Sequence, residues 1–161
     1  YRESFRPFAP SILKENLSNY FNLNCDSPYM LLVASVNDKI KKEMNDKEKQ
    51  LFGIEKLNVV RSNIPAVTHV DYSSRIQTVD KNTNEKFYNL ISHFNNKTNC
   101  PLLVNTSFNI RGEPIVNTVE DAFKCFMGTG LDTLVIGNFI LRKNKQNLKF
   151  DKEYKDKYNL D

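Results

Sequence analysis

The sequence predicts an α/β fold, in which a twisted mixed sheet carries flanking helices in a single domain. Short apolar runs of strand length alternate along the chain with segments of helical periodicity, and this alternation is typical of layered helix and sheet. Prolines interrupt the strand-length runs and keep them short, which favours a mixed sheet over a long parallel one. The chain has 161 residues, enough for one domain with its own hydrophobic core.

The strands are predicted from apolar runs that turn residues bound on both sides. Residues 1–11 are expected to be extended, because Pro7 and Pro10 lack a backbone donor and keep the preceding residue out of the helical region. Five later runs are rich in branched apolar residues and have the length of strands. The predicted strands span residues 29–36, 63–70, 75–79, 101–104 and 131–141.

Two helices are predicted from periodicity and from signals at their ends. Apolar residues within 84–94 recur at the spacing that gives a helix one buried stripe. These residues are Phe87, Leu90, Ile91 and Phe94. The second helix is expected to start at Thr118, which has the T-x-x-D spacing of a capping box, and to stop at Gly128 and Gly130.

Two charged segments lie outside the expected core. Residues 37–57 form a lysine-rich insertion, which we expect to be a solvated helix or a mobile loop. Residues 143–161 are expected to be a peripheral charged tail, so the domain proper comprises residues 1–142. The formal net charge of +4 suits an anionic partner, but it does not distinguish a nucleotide from nucleic acid or from a simple lysine excess.

The cysteines and the lengths of the apolar runs limit where the protein works. Cys25, Cys100 and Cys125 are far apart and lack the C-x-x-C spacing of zinc or redox sites. We therefore expect reduced thiols, a cytoplasmic location and no metal site in this chain. No run of 18 apolar residues exists, so no membrane-spanning segment is expected.

The first group of candidate binding residues lies in RESFRPFAPS, near the start of the chain. Arg2 and Arg6 stand four residues apart in a stretch that two prolines stiffen. Guanidinium groups grip phosphate oxygens bidentately, and a rigid backbone lowers the ordering cost of binding. Alternatively, these arginines pair with acids such as Glu3 in a structural turn.

The second group lies in HVDYSSRIQTV, residues 69–79. If this segment is extended throughout, alternation places His69, Asp71, Ser73 and Arg75 on one face, where they could bind a phosphate or orient a carbonyl group. A turn at residues 72–74 would break this row, and the sequence does not decide between the two.

The third group lies in NTSFNIRGEPI and follows directly on an apolar run. Side chains at such a strand end face the edge of the sheet where ligands bind in open α/β folds. The candidate residues of this group are Asn105, Thr106, Ser107, Asn109 and Arg111. Alternatively, the segment is a turn whose short polar side chains bond only to their own backbone.

Several familiar motifs are absent from the sequence. There is no G-x-x-x-x-G-K-[ST], no G-x-G-x-x-G, no H-E-x-x-H and no G-x-S-x-G. If the chain binds ATP, it must therefore do so with scattered arginines and polar strand ends.

Taken together, six blocks resemble the C-terminal domain of the carbamoyltransferase family, which includes nodulation-factor, cephamycin, novobiocin-type and tobramycin carbamoyltransferases. In chain order the blocks are RESFRPFAPSIL, SPYM, IPAVTHVDYSSRIQTV, PLLVNTSFNIRGEPIV, EDAFKCF and LDTLVIGNFIL. They cover nearly all of residues 1–142, and their common order makes the resemblance specific. It implies a YrdC-like fold, a twisted α/β sheet around a basic cavity.

The resemblance also implies a reaction. Carbamoyl phosphate is converted to carbamate, which attacks the α-phosphate of ATP, so that pyrophosphate leaves and carbamoyl adenylate forms. ATP with Mg²⁺ is the expected co-substrate. A larger N-terminal domain of the actin-like ATPase/sugar-kinase class, not contained in this sequence, holds its own metal and transfers the carbamoyl group to an acceptor hydroxyl. By itself this chain is expected to be inactive in the overall transfer.

Site residues follow from the same resemblance. Arg6 matches a phosphate-binding arginine, and Arg75 and Ser107 match residues that contact the adenylate and carbamoyl groups. We expect Arg6, Arg75 and Ser107 to be catalytic and to converge on one basic pocket. The expected binding residues are Arg2, His69, Asp71, Asn105, Thr106, Asn109 and Arg111.

Two other functions stay open at this stage. One is a YrdC-like nucleotide- or RNA-binding module, although no arginine-rich or aromatic stripe supports a nucleic-acid partner. The other is a non-catalytic domain that scaffolds its N-terminal partner.

Overall fold

The computed structural model describes residues 7–147 together with Tyr154 and Tyr158. This part of the chain divides into two compact units, of which the first ends at Thr106 and the second begins at Ser107. We call them the N-terminal unit and the C-terminal unit.

The N-terminal unit is built on a four-stranded sheet. Its strands are β1 (Ala9–Leu13), β2 (Leu32–Ser35), β3 (Ser73–Val79) and β4 (Leu102–Asn105). The order across the sheet is β2-β3-β1-β4, with β1 parallel to β3 and the two outer pairs antiparallel. The mixed sheet predicted from the sequence is thereby confirmed.

One face of this sheet is covered by the main apolar core. The buried members of this core are Ile12, Leu17, Phe21, Val36, Ile64, Val67, Ile76 and Leu102. Burying a large aliphatic or aromatic side chain contributes about 1.5–3 kcal/mol. This core therefore fixes the positions of the two central strands, β1 and β3.

The opposite face is apolar at one end and polar at the other. At the apolar end, Leu13 and Val79 pack against Ile91 of a long helix. Because every second side chain of a strand lies on the same face, residues two or more positions along the same strands also lie on this face, and at its other end they are polar. We call these residues the polar face: Ser11, Ser73, Arg75, Gln77 and Asn105.

Helices of the N-terminal unit lie between and after these strands. They are α1 (Leu17–Tyr20), α2 (Asp46–Gln50), α3 (Gly53–Leu57) and α4 (Glu85–Thr98), with 3-10 turns at Lys14–Asn16, Asp38–Ile40 and Pro65–Val67. The predicted helix at 84–94 is α4. Its N-cap is Asn84, whose side chain accepts the Phe87 N–H, and its C-cap is Asn99 in the left-handed region. Of its predicted apolar stripe, Ile91 is fully buried while Leu90 is 57% exposed.

The predicted strand at 63–70 is wrong. The 3-10 turn at Pro65–Val67 replaces it. The buried Ser62 and Thr68 hydroxyls bond each other at 2.7 Å and also bond the backbone of Ile64, which closes the chain into a turn. Pro65 has no N–H to contribute to a strand ladder.

The C-terminal unit contains a helix and a hairpin. Its elements are α5 (Val119–Gly128), β5 (Thr133–Ile136), β6 (Phe139–Arg142) and a 3-10 turn at Lys143–Lys145. The predicted helix start at Thr118 is confirmed, because Thr118 and Asp121 form a capping box.

The single strand predicted over residues 131–141 is wrong. It is a hairpin, in which β5 and β6 pair antiparallel and Gly137 turns the chain at a φ of +53°. Glycine adopts such a conformation at little cost, and a two-residue loop beginning with glycine is a favoured hairpin connection.

Candidate functional site

Arg75 is the one cation among the described residues of the polar face. Alternation along β3 buries Ser74 and Ile76 on the core side and leaves Arg75 exposed on the other. Its guanidinium forms no hydrogen bond or ion pair with any residue that the structure describes. Because a guanidinium is a permanent cation with five donors, this position can accept an anionic ligand.

Beside Arg75, three neutral side chains from different strands are linked by hydrogen bonds. The Ser11 hydroxyl donates to Gln77 Oε1 at 2.6 Å, and Asn105 Nδ2 lies 2.7 Å from the same oxygen. Asn105 Nδ2 also lies 3.0 Å from the Ser11 hydroxyl, while Gln77 Nε2 donates to the Pro28 carbonyl. These bonds occupy the Asn105 amide nitrogen, while its side-chain oxygen accepts nothing within residues 7–147.

A tight turn leads into β3. The His69 N–H donates to the Ser73 carbonyl at 2.8 Å, and the Tyr72 N–H to the His69 carbonyl at 3.0 Å. Tyr72 closes the turn in the left-handed region, at a φ of +63°. The row of four polar residues considered from the sequence is therefore not formed: Ser73 and Arg75 lie in β3, while His69 and Asp71 belong to the turn.

The titratable groups of this turn are shifted in ways that the geometry explains. Burial lowers the pKa of His69 below 6.5, with a smaller contribution from Arg75, and Asp71 partly opposes the shift. The hydroxyl and the backbone N–H of Ser73 hold the pKa of Asp71 below 3.8. At neutral pH the turn thus presents a neutral imidazole and a carboxylate that is already hydrogen-bonded.

A pocket of about 630 Å³ lies against this turn, within the N-terminal unit. Of the predicted site residues that the structure describes, His69 and Asp71 line it. The remaining lining residues are Pro7, Phe8, Met44, Lys56, Leu57, Asn58, Arg61, Pro65, Ala66, Thr68 and Val70. Its volume falls in the range of small-molecule sites.

Arg61 is a pocket residue that sequence reasoning missed. It is only 4% exposed, and its guanidinium donates to three backbone carbonyls: those of Lys56 at 2.6 Å, Leu57 at 3.2 Å and His69 at 3.2 Å. These bonds join the lysine-rich insertion to the His69 turn. Tyr72 adds a second link, because its hydroxyl donates to the Lys42 carbonyl at 3.0 Å. A single arginine beside a misassigned strand gave no signal of this role.

The predicted site residues of the C-terminal unit lie in the loop that precedes α5. The Ser107 hydroxyl bonds Asn109 Oδ1 at 2.7 Å, and Asn109 Nδ2 donates to the carbonyls of Ile110 and Glu113 at 3.0 and 2.8 Å. Arg111 is exposed at the tip of this loop. Asn109 therefore shapes the loop that presents Ser107.

A buried carboxylate supports this loop and was also missed. Glu113 is 8% exposed; it accepts the Ile110 N–H at 2.8 Å and the hydroxyl of Tyr154, and Tyr158 lies 3.3 Å away. Burial raises the pKa of the neighbouring Cys125 thiol to about 12, with Glu113 adding to the shift. Two tyrosines of the segment expected to be a peripheral tail thus contact the interior of the C-terminal unit.

Some predicted residues are not characterised by this geometry. Arg2 and Arg6 lie outside the described residues, and Thr106 is exposed directly after β4. The convergence of Arg6, Arg75 and Ser107 on one pocket stays a prediction, since Arg75 and Ser107 belong to different units.

Neither a resident metal site nor a membrane span appears in the part of the chain that the structure describes. No three side chains of His, Cys, Asp or Glu come close enough there to hold one ion. No helix there is both long and apolar enough to cross a bilayer.

Comparison with known proteins identifies relatives over the whole chain. It is 53% identical to the uncharacterized protein sll1178 of Synechocystis, which it matches over 100% of its own length and 26% of the relative's. It is 40% identical to the nodulation protein NolO of Bradyrhizobium diazoefficiens, covering 91% of the chain and 24% of NolO. It is 31% identical to the 3'-hydroxymethylcephem-O-carbamoyltransferase of Amycolatopsis lactamdurans, covering 85% of the chain and 22% of that enzyme.

The chain spans about a quarter of the length of these relatives. A family profile described as carbamoyltransferase C-terminus matches residues 1–143, which include both units up to the end of β6. With this match and the relatives above, the resemblance noted in the sequence is confirmed, and the chain belongs to the carbamoyltransferase C-terminus family.

Proposed function

We propose that this chain is the part of an O-carbamoyltransferase that binds carbamoyl phosphate and ATP and forms carbamoyl adenylate. Family membership supports the reaction class, because two relatives are 3'-hydroxymethylcephem-O-carbamoyltransferases. The observation that carries the proposal is the Arg75 guanidinium, exposed and without a partner in the described chain, beside neutral amides on the polar face.

The proposed reaction has two steps. Water first displaces phosphate from carbamoyl phosphate, which gives carbamate and inorganic phosphate. A carbamate oxygen then bonds to the α-phosphorus of ATP as the bond from this phosphorus to the pyrophosphate oxygen breaks. Mg²⁺ enters with ATP as part of this substrate. The products are carbamoyl adenylate and pyrophosphate.

Arg75 is suited to bind the anionic part of these substrates. Carbamate and ATP repel each other, and negative charge grows on the leaving pyrophosphate in the transition state. A fixed guanidinium offsets this repulsion without reorganising. In the proposal Arg75 and Arg6 share this role, with Arg2 and Arg111 as further phosphate ligands.

Asn105 is suited to bind the carbamoyl amide. Its side-chain oxygen has no donor among residues 7–147, and its nitrogen is held by Ser11 and Gln77. An amide oxygen accepts hydrogen bonds from an NH₂ group, which is the donor that a carbamoyl group offers. In the proposal Ser107 contacts the adenylate from its loop, and Thr106, Asn109, His69 and Asp71 lie around the substrates.

The larger context is part of the same proposal. The relatives are about four times as long as this chain, which supports a further domain that receives carbamoyl adenylate. We propose that this domain is of the actin-like ATPase/sugar-kinase class and transfers the carbamoyl group to an acceptor hydroxyl.

The test is the exchange of labelled pyrophosphate into ATP in the presence of carbamoyl phosphate, measured on the whole protein that contains this chain. Arg75→Ala and Ser107→Ala should each lower the exchange rate by about 10²- to 10³-fold, the loss seen when one preorganised donor is removed from a transition state. Arg142→Ala, at an exposed arginine on β6, is the matched control and should leave the rate unchanged.

Two results would contradict the proposal. Unchanged exchange in both site variants would remove Arg75 and Ser107 from the chemistry. RNA binding with a steep salt dependence and no response to ATP would instead favour a nucleic-acid module.

A further inference from the structure

Arg61 carries a buried charge that no acid in the described chain balances. It is 4% exposed, and its three hydrogen bonds within the described residues all go to neutral carbonyls. It forms no ion pair with any residue that the structure describes. Burying a cation without a counter-charge is costly, so an anion at this position would stabilise the fold.

The guanidinium of Arg61 also keeps unused donors. It has five N–H groups, of which three donate to the carbonyls of Lys56, Leu57 and His69. The other two have no acceptor among residues 7–147, although Arg61 lines the pocket of about 630 Å³. The three carbonyl bonds hold the group in one orientation, which lowers the ordering cost of binding.

The pocket contains a second cation close in sequence to the first. Lys56 lines it, is half-buried and reaches the Lys49 carbonyl at 3.2 Å. Among the described residues of the lining, the only acid is Asp71, whose carboxylate accepts the Ser73 N–H at 2.9 Å within the turn. The remaining charges of the lining thus favour an anion on the side of Arg61 and Lys56.

We propose that this pocket is a binding site for a phosphate-type oxyanion, which Arg61 binds with its two free N–H groups and Lys56 neutralises further. The ligand is inorganic phosphate, pyrophosphate or the phosphate chain of a nucleotide, which share this chemistry. The inference extends the proposed function and rests on it in one respect, because His69 and Asp71 are assigned to the substrates there and also line this pocket. Anion binding by Arg61 and Lys56 does not itself require Arg75, Ser107 or carbamoyl adenylate formation.

A purely structural role for Arg61 is the competing explanation. Arginine near the end of a helix stabilises its last carbonyls, and Lys56 and Leu57 are the last residues of α3. This role explains the three bonds but requires no ligand. A test must therefore remove a charge without removing a carbonyl.

Lys56→Gln does this, because the backbone carbonyl that Arg61 contacts stays in place. Pyrophosphate is titrated by calorimetry into the whole protein that contains this chain, with inorganic phosphate and ATP in parallel arms. Lys56→Gln should weaken pyrophosphate binding about tenfold to a hundredfold, as for loss of a charged hydrogen bond, with the melting temperature nearly unchanged. Lys97→Gln, at an exposed lysine outside the pocket, is the control and should bind as the unchanged protein does.

The parallel arms identify the source of the ligand. Equal effects of Lys56→Gln on phosphate and pyrophosphate indicate a free anion, and an effect confined to ATP indicates a nucleotide phosphate; each of these supports the site. Arg75→Ala should leave intact the component of pyrophosphate binding that Lys56→Gln weakens, because Arg75 is proposed to bind phosphate on the polar face instead.

Three outcomes would overturn the inference. They are an absence of heat with all three anions at millimolar concentration, affinities for all three anions that Lys56→Gln leaves unchanged, and a loss of affinity that follows Arg75→Ala alone. The last outcome would place the anion on the polar face while leaving the proposed function standing.

Discussion

Replacing Gly128 with alanine should destabilise the C-terminal unit through a single contact. Gly128 is the buried last residue of α5, and the ring of Tyr154 lies directly on it. A Cβ at position 128 would lie 2.6 Å from the Tyr154 Cβ and closer still to two carbons of its ring. The collision involves the base of the side chain, so a rotation of the ring alone does not relieve it.

The size of the effect follows from two ways of relieving this overlap. Shifting the backbone of α5 or of Tyr154 costs about 1–3 kcal/mol, as for other overpacked sites. Expelling Tyr154 costs more, because its ring loses about 1.5–3 kcal/mol of burial and Glu113 loses a buried donor worth about 1–3 kcal/mol. Alanine regains about 0.5–1 kcal/mol of helix propensity. The cheaper backbone shift decides the cost, so we expect a net loss of about 1–2 kcal/mol in the free energy of unfolding.

Urea unfolding followed by far-UV circular dichroism measures this loss. Gly130→Ala is the matched control, because a Cβ there meets nothing within 4 Å. The control should change the free energy of unfolding by no more than about 0.5 kcal/mol, as is usual for surface substitutions.

A double-mutant cycle with Tyr154→Ala isolates the contact. Without the ring the overlap is gone, so Gly128→Ala should be neutral or slightly stabilising in the Tyr154→Ala background. An equal loss with and without the Tyr154 ring would refute the reasoning, because the cost would then arise elsewhere in α5.

Two further predictions concern titratable groups. Because burial lowers the folded-state pKa of His69 below 6.5, the unfolded chain binds the imidazole proton more readily than the folded chain. The stability that is present above pH 6.5 should therefore be lost as the pH falls through the folded-state pKa. His69→Gln should flatten this part of the profile of unfolding free energy against pH. An equally steep profile in the variant would contradict this. Burial raises the pKa of Cys125 to about 12, while Cys25 is exposed. Iodoacetamide at pH 8 should therefore label Cys25 first and Cys125 only on unfolding, as measured by mass spectrometry. Early labelling of Cys125 would count against its burial.

The elements that the sequence predicts well are those whose signals are local. The helix α4 has its apolar spacing and its Asn84 cap within fifteen residues, and α5 has the Thr118 box within four. The hairpin of β5 and β6 also has a local signal, because Gly137 and Asn138 form a two-residue loop between two apolar runs. A single strand is nevertheless predicted there from the sequence. The apolar run of residues 131–141 has the length of one long strand, but these two residues divide it.

The site is predictable only where it depends on one strand. Alternation in RIQTV places Arg75 on the face opposite Ile76, and the structure has it there. The amide network is different, because Ser11, Gln77 and Asn105 are up to 94 positions apart and meet only since β1 lies between β3 and β4. The burial of Arg61 depends on carbonyls four to eight residues away on either side of it, and backbone acceptors leave no trace in the side-chain pattern.

The turn before β3 keeps an acid off the polar face. In a fully extended segment Asp71 would lie on the same face as Arg75, about 13 Å along the strand, and would add an acid to the polar face. The turn instead places Asp71 in the loop, where the Ser73 N–H occupies its carboxylate, and Tyr72 takes the left-handed conformation that this requires. The described positions of the polar face then contain one cation, neutral hydroxyls and amides, and no acid. In the proposed reaction, this arrangement leaves the Arg75 charge uncompensated until a phosphate binds.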